Sequence, residues 1–368
     1  MDKLNYLKKL VEIKSYDTTQ NTEIIDYLQR EFDNVAVETL RVKNTLDERE
    51  NLLVGLNCNL KNLSDAVVLA GHIDTVTADE KSYNTCPYKA VLKDGKLYGL
   101  GSIDMKSFFA VVLNNAVKLK QLPVPVVVAI TGDEETNLNG AVQVVDTLKQ
   151  LNITPKCTIV GEPTDSDICS QSKSCYEFRV QITGKSCHSS NPSGGVNANY
   201  IAAHIMLKIE ELCTKYPDTT TTCNIVSGGE KVNIISNSAR LSFDVRTLKI
   251  KYKDAILNDL NDSILSLKQK YNGCDIKVEN ALSIPPLENN NPELIKSLCA
   301  KYGVKEKLFQ GGCEAGYYQA LGGDAIVCGV GDLKLAHKPN EFAIVDEFEK
   351  YSDRFVSFIC DFAAINIK

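Results

Sequence analysis

Residues 130–135 read Ile130-Thr131-Gly132-Asp133-Glu134-Glu135. The run before them, from Val126 to Ile130, is apolar and mostly β-branched, which predicts a buried strand. Three acids then follow without a break. Like charges packed together raise one another's energy unless water or a cation sits among them. Alone, an acidic triplet reads as a solvated turn. Its meaning here depends on what the rest of the chain delivers to the same place.

Working outward, the same arrangement recurs. Residues 66–70 form a second apolar strand and run into Gly71-His72-Ile73-Asp74. A third, 157–160, runs into Gly161-Glu162-Pro163-Thr164, and a fourth, 325–328, precedes Ala336-His337-Lys338-Pro339-Asn340-Glu341. Helical spacing of apolar residues appears at 3–14, 22–32, 105–120 and 138–150. A final helix carries Ile344, Phe348, Tyr351, Phe355, Phe358 and Phe362 along one face. Residues 87–98 read as a hairpin turning at Asp94-Gly95. Apolar strands alternating with helices predict an α/β domain, a mostly parallel sheet sandwiched by helices.

The pattern changes between 174 and 283. Tyr176, Phe178, Val180 and Ile182 alternate with polar residues, as do Ala239, Leu241, Phe243 and Val245, so these strands cover a core on one face only. With helices at about 196–216 and 253–271, the order becomes βαββαβ, that of a ferredoxin-like domain. We therefore expect a catalytic domain of residues 1–173 and 284–368 with a second domain, 174–283, inserted in it. Asn291 before Pro292 is a helix start after the return.

Composition narrows the function. The 368 residues carry a formal charge of −6, which gives no electrostatic case for nucleic acid. No apolar run reaches the ~20 residues a membrane span needs, and the N-terminus lacks a signal-peptide core, so the expected setting is the cytoplasm. The 13 cysteines are scattered and odd in number, without CxxC pairs, as in a protein with reduced thiols.

In an open parallel sheet the loops after the strand C-termini share one edge, where ligand sites form. His72, Asp74, Glu134, Glu135, Glu162 and His337 all lie in such loops, and Asp104 precedes a helix. Imidazole and carboxylate suit zinc and similar divalent ions. Among His72, Asp104, Glu135, Glu162 and His337, three carboxylates bring −3. One divalent cation would leave the cluster negative, whereas two bring +4 and leave room for a bridging hydroxide. Two of the four histidines fall in these loops. His204 sits within a helix beside Ile201 and Ile205 and reads as a partly buried helix residue.

The motifs GHIDTV (71–76), GLGSIDMK (99–106), GDEET (132–136), GEPT (161–164) and AHKPNEF (336–342), in this order, resemble the dinuclear-zinc metallopeptidase and deacylase family. That resemblance implies His72 and Glu162 on one metal, Glu135 and His337 on the other, and Asp104 bridging, with zinc the expected metal and cobalt an alternative. It implies Asp74 as the acid orienting His72, Glu134 as general base, and a cis peptide after Asp104. In the implied mechanism a hydroxide held by both metals attacks an amide carbonyl, and Glu134 carries the proton to the departing amine. It also implies that His188 reaches the developing oxyanion, commonly across a homodimer formed through the inserted domain. Asn233 and Arg246 match substrate-binding positions, and an arginine there suits a bidentate hold on a carboxylate.

HSSNPSGGVNA (188–198) and GGCEAGYY (311–318) resemble the acetylornithine deacetylase branch more than the succinyl-diaminopimelate desuccinylase branch. The expected reaction is hydrolysis of N-acetyl-L-ornithine, a step of arginine biosynthesis. Desuccinylation, N-acetylcitrulline deacetylation, dipeptide hydrolysis and a non-catalytic binding role are the alternatives. Glu314 either reads the substrate's ammonium end or caps a helix. Leu100, Ser107 and Ser236 depart from the family's usual arginine, glycine and proline.

Overall fold

The computed structural model describes residues 2–16 and 20–365. They divide into two compact units, one made of the described residues within 1–171, 289–309 and 313–368, the other of 172–288 and 310–312.

The first unit is built on an eight-stranded sheet in the order Glu38–Lys43, Glu50–Gly55, Val126–Thr131, Leu63–His72, Ile153–Val160, Asp324–Val327, Ile168–Ser172, Glu306–Phe309. The four central strands, Val126–Thr131 through Asp324–Val327, are parallel. Glu38–Lys43 and Glu50–Gly55 join antiparallel at one side, and Ile168–Ser172 joins antiparallel at the other. The alternation of side chains divides the sheet's two faces. Val67, Leu69, Val126, Val128, Ile130, Cys157 and Ile159 enter one core with helices Asn5–Glu12, Thr22–Asp33, Lys106–Leu119 and Val345–Phe362. Helices Asn139–Gln150 and Ala315–Gln319 pack on the strands beside them.

Local sequence explains several boundaries. The hairpin pairs Lys93 with Lys96, and Asp94 and Gly95 take φ of 50° and 71°, the two left-handed residues of a type I′ turn. The Asn291 side chain accepts from the Leu294 N–H at 3.3 Å and caps Pro292–Tyr302. One expectation fails: Ile344 is not on the buried face of the last helix. It is exposed and precedes the helix, ending the short strand Phe342–Ile344.

In the second unit, strands Thr219–Gly228, Ser238–Thr247, Cys175–Thr183 and Asp275–Ile284 form an antiparallel sheet in that order. Helices Ala198–Lys215 and Lys251–Lys270 bury the face carrying Phe178, Val180, Ile182, Leu241, Phe243 and Val245. Chain order βαββαβ with spatial strand order 2-3-1-4 is the ferredoxin-like arrangement.

All thirteen cysteines are free thiols. Among the described residues no helix is long and apolar enough to cross a membrane.

Candidate metal centre

Because the four central strands are parallel and adjacent, their C-terminal ends line up: His72 pairs with Thr131, Ala70 with Val160, and Val160 with Val327. The loops that follow deliver the predicted side chains to one place. His72, Asp104 and Glu162 form one trio, and Asp104, Glu135 and His337 another, with the donor atoms of each trio within 4.8 Å of one another.

Asp104 belongs to both trios. Its Oδ1 lies 3.2 Å from His72 Nε2 and its Oδ2 lies 3.3 Å from His337 Nε2. Glu162 Oε1 is 3.7 Å from His72 Nε2, and Glu135 Oε1 is 2.9 Å from His337 Nε2. His72 donates from Nδ1 to the Asp74 backbone carbonyl oxygen at 3.0 Å, which turns Nε2 toward Asp104 and Glu162. Asp74 has a second task. Its two carboxylate oxygens accept the N–H groups of Glu134 and Glu135 at 3.1 and 3.0 Å. One buried acid thus fixes the acidic loop beside the histidine.

The donor set fits divalent cations. Imidazole nitrogens and carboxylate oxygens converge in two groups that share one carboxylate, and His72, Asp104 and Glu162 are buried. Without a cation the charges fall back on one another. Burial pushes the Glu162 and Glu134 carboxyls well above their usual range, and neighbouring carboxylates push them further. Burial works against a charged His72, but hydrogen bonds to Asp104 and Asp74 overcome it and raise the imidazole. Asp104 and then Glu135 hold the His337 imidazolium up to about 10. A cation needs the imidazole lone pair, so loading near neutral pH must expel that proton, and affinity should rise with pH. Calorimetry in two buffers of different ionisation enthalpy should show proton release; identical heats in both would contradict it.

The sequence marks neither Glu341 nor Asp133 as a support of this site, and it gives a third buried carboxylate, Glu314, other roles. Glu341 Oε1 accepts the N–H groups of Ile103 and Asp104 at 2.8 and 3.2 Å, and Oε2 accepts from Gly101 at 3.1 Å. It cradles the turn that presents Asp104, and burial lifts it to about 7. The Asp104–Met105 peptide in that turn is cis. Asp133, first of the acidic triplet, belongs to neither trio. It accepts from the Gly140 N–H and the Asn44 amide, each at 2.7 Å. Glu314 is fully buried and makes no side-chain cap at Ala315–Gln319, so the capping alternative fails. Gly161, before Glu162, must be glycine, because a Cβ there would stand 2.0 Å from the Phe108 ring.

The remaining candidates lie in the second unit. His188 is exposed, with Nδ1 2.8 Å from Ser190 Oγ, and it bridges Ile234 beside the exposed Asn233. Arg246 donates from Nε to both Asp244 oxygens at 3.0 and 2.9 Å, a pairing within its own strand. His204 lies 3.2 Å from the Tyr271 hydroxyl on the helical surface.

Residues 68–361 match peptidase family M20/M25/M40. The chain is 35% identical over 297 residues to an acetylornithine deacetylase of Pasteurella multocida, covering 75% of each chain. It is 31% identical over 290 residues to another from Shigella sonnei, again covering 75% of each. Its fold resembles that of the aminopeptidase PepT from Bacillus cereus, with a TM-score of 0.78 at 24% identity and 98% of both chains covered. It also resembles a dinuclear metal-binding peptidase from Bacillus subtilis, with a TM-score of 0.71 at 16% identity and 98% and 96% of the chains covered.

Proposed function

We propose that this chain, which belongs to peptidase family M20/M25/M40, removes the acetyl group from an N-acetylated amino acid, N-acetyl-L-ornithine before others. The observation that carries the reading is the pair of trios sharing Asp104, with Glu134 in the same loop as Glu135. The two deacetylase relatives favour the substrate. With that substrate the reaction belongs to arginine biosynthesis, and a cytoplasmic setting follows.

His72, Asp104 and Glu162 would hold one cation, and Glu135, His337 and Asp104 the other, with zinc suited to this nitrogen and oxygen set. Two such cations supply Lewis acidity toward a carbonyl oxygen and ease the ionisation of water. The protein supplies the proton path and the alignment. Glu134 accepts a proton from the water that attacks the acetyl carbonyl carbon, then delivers it to the nitrogen as the C–N bond breaks. Acetate and a free amine leave. Asp74 holds the backbone of Glu134 and Glu135, so base and ligand keep their separate orientations. Arg246 and Asn233 are the proposed grips on the substrate's carboxylate end, and His188 the proposed donor to the oxyanion.

The test is a comparison of kcat/KM for N-acetyl-L-ornithine, N-succinyl-diaminopimelate, N-acetylcitrulline and dipeptides with the zinc-loaded protein. Acetylornithine should be fastest; a higher value for the succinyl substrate or a dipeptide would overturn the assignment.

We also propose a homodimer through the second unit. Strand Thr219–Gly228 ends its sheet, so one side of its backbone has no strand neighbour among the described residues, and it exposes Ile225 and Val226. An open apolar edge is a pairing surface. Ile225→Asp should shift sedimentation from dimer to monomer; a wild type that sediments as a monomer would contradict it.

A further inference from the structure

Glu314 lies behind the strand ends that carry the metal centre, and the mechanism above does not use it. Its Oε2 is 3.0 Å from Thr131 Oγ1, and the same hydroxyl oxygen is 3.0 Å from the carbonyl oxygen of Gly71. Thr131 is the last residue of its strand before Gly132-Asp133-Glu134-Glu135, and Gly71 precedes His72. All three residues are buried.

A hydroxyl has one proton to donate. A carbonyl oxygen can only accept, so the Thr131 proton belongs to Gly71. The contact between Thr131 and Glu314 then lacks a proton unless the carboxyl carries one. A second observation agrees. Glu314 Oε1 has no hydrogen-bond partner among the described residues, and neither does the buried hydroxyl of Tyr318 one turn on. An ionised carboxylate with a bare, fully buried oxygen is far more costly than the neutral acid.

We propose that Glu314 is a neutral, proton-donating positioning residue: its carboxyl donates to Thr131 Oγ1, and Thr131 donates to the Gly71 carbonyl. This relay ties the strand bearing His72 to the strand bearing Glu134 and Glu135, and it needs the acid form. The groups that bear on Glu314 are His72 and Asp74 after one strand, Asp133 after the other, and Cys313 and Tyr318 of its own segment. Burial raises the carboxyl most, a charged His72 lowers it, and Asp74 and Asp133 raise it, to about 8 even with the Thr131 proton given to the carboxylate rather than to Gly71. Once ionised, the carboxylate competes with Gly71 for the Thr131 proton and the tie between the strands loosens. Activity should therefore fall on the alkaline side.

Glu314→Gln and Glu314→Ala separate this role from mere space filling. Gln is similar in shape, cannot ionise, and has an amide N–H to donate to Thr131. It should keep kcat/KM near the wild-type value at pH 7 and lose the alkaline fall. Ala should lose activity about 10–100-fold, as when a ligand's outer support is removed. A Gln variant as impaired as the Ala variant, or one that keeps the wild-type alkaline limb, would overturn the proposal. The kinetic arm rests on the deacylase reading, so a substrate-free measurement accompanies it. The infrared difference spectrum of wild type minus Glu314→Gln at pH 7 should contain a protonated-carboxyl C=O band. A carboxylate band in its place would overturn the proposal whatever the substrate.

Discussion

Glu134→Gln is expected to lower kcat by about 10²–10⁴-fold while both cations stay bound. The substitution keeps the side chain's shape and removes only its capacity to take a proton. The Glu134 and Glu135 N–H groups would still be held by Asp74, so the neighbouring Glu135 carboxylate should not move. Metal content by elemental analysis should therefore match the wild type, and KM should change far less than kcat. Loss of turnover together with a cation would assign Glu134 to metal binding, and unchanged turnover would remove it from the proton path.

Asp104→Ala should have the broader effect. Every other residue of the two trios belongs to one, whereas Asp104 places one oxygen in each. Its removal leaves each trio with two donors and separates the two halves of the site. Affinity should fall by more than about 100-fold, the upper end of the loss when only an outer-shell partner is removed. The readout is the rise in Tm on adding zinc. A ligand at a thousandfold excess over its Kd stabilises the folded state by about 4 kcal/mol per site, so wild type should rise by several degrees. Asp104→Ala should rise little at the same concentration. An equal rise in both would show that the cations bind elsewhere.

The readable parts of this protein are those where one residue type can serve one purpose. The central strands, such as Val126–Thr131, are fully buried runs of β-branched residues, so their apolar character alone marks them. The metal-site loops follow directly, because ligands at the ends of parallel strands must share an edge. The antiparallel strands were harder. Glu38–Lys43 reads Glu-Thr-Leu-Arg-Val-Lys and lies half exposed at the sheet's edge, and Ile168–Ser172 is short and polar after Cys169. What makes Glu38–Lys43 a strand is its antiparallel neighbour Glu50–Gly55, and what makes Ile168–Ser172 one is Asp324–Val327, far along the chain. The supporting carboxylates were hidden for a related reason. Glu341 and Asp133 satisfy backbone N–H groups, and Glu314 meets a hydroxyl 183 residues away. A carboxylate that serves the backbone looks in sequence like one that serves water. Both Glu341 and Asp133 sit inside motifs that bear ligands, AHKPNEF and GDEET, and that adjacency was the one available signal.

Anomalous diffraction from zinc-loaded crystals tests the shared-carboxylate centre most directly. The account predicts two peaks about 3.5–4 Å apart, one against His72 and Glu162, the other against Glu135 and His337, with Asp104 reaching both. A single peak under saturating zinc, or two peaks that do not both touch Asp104, would contradict it.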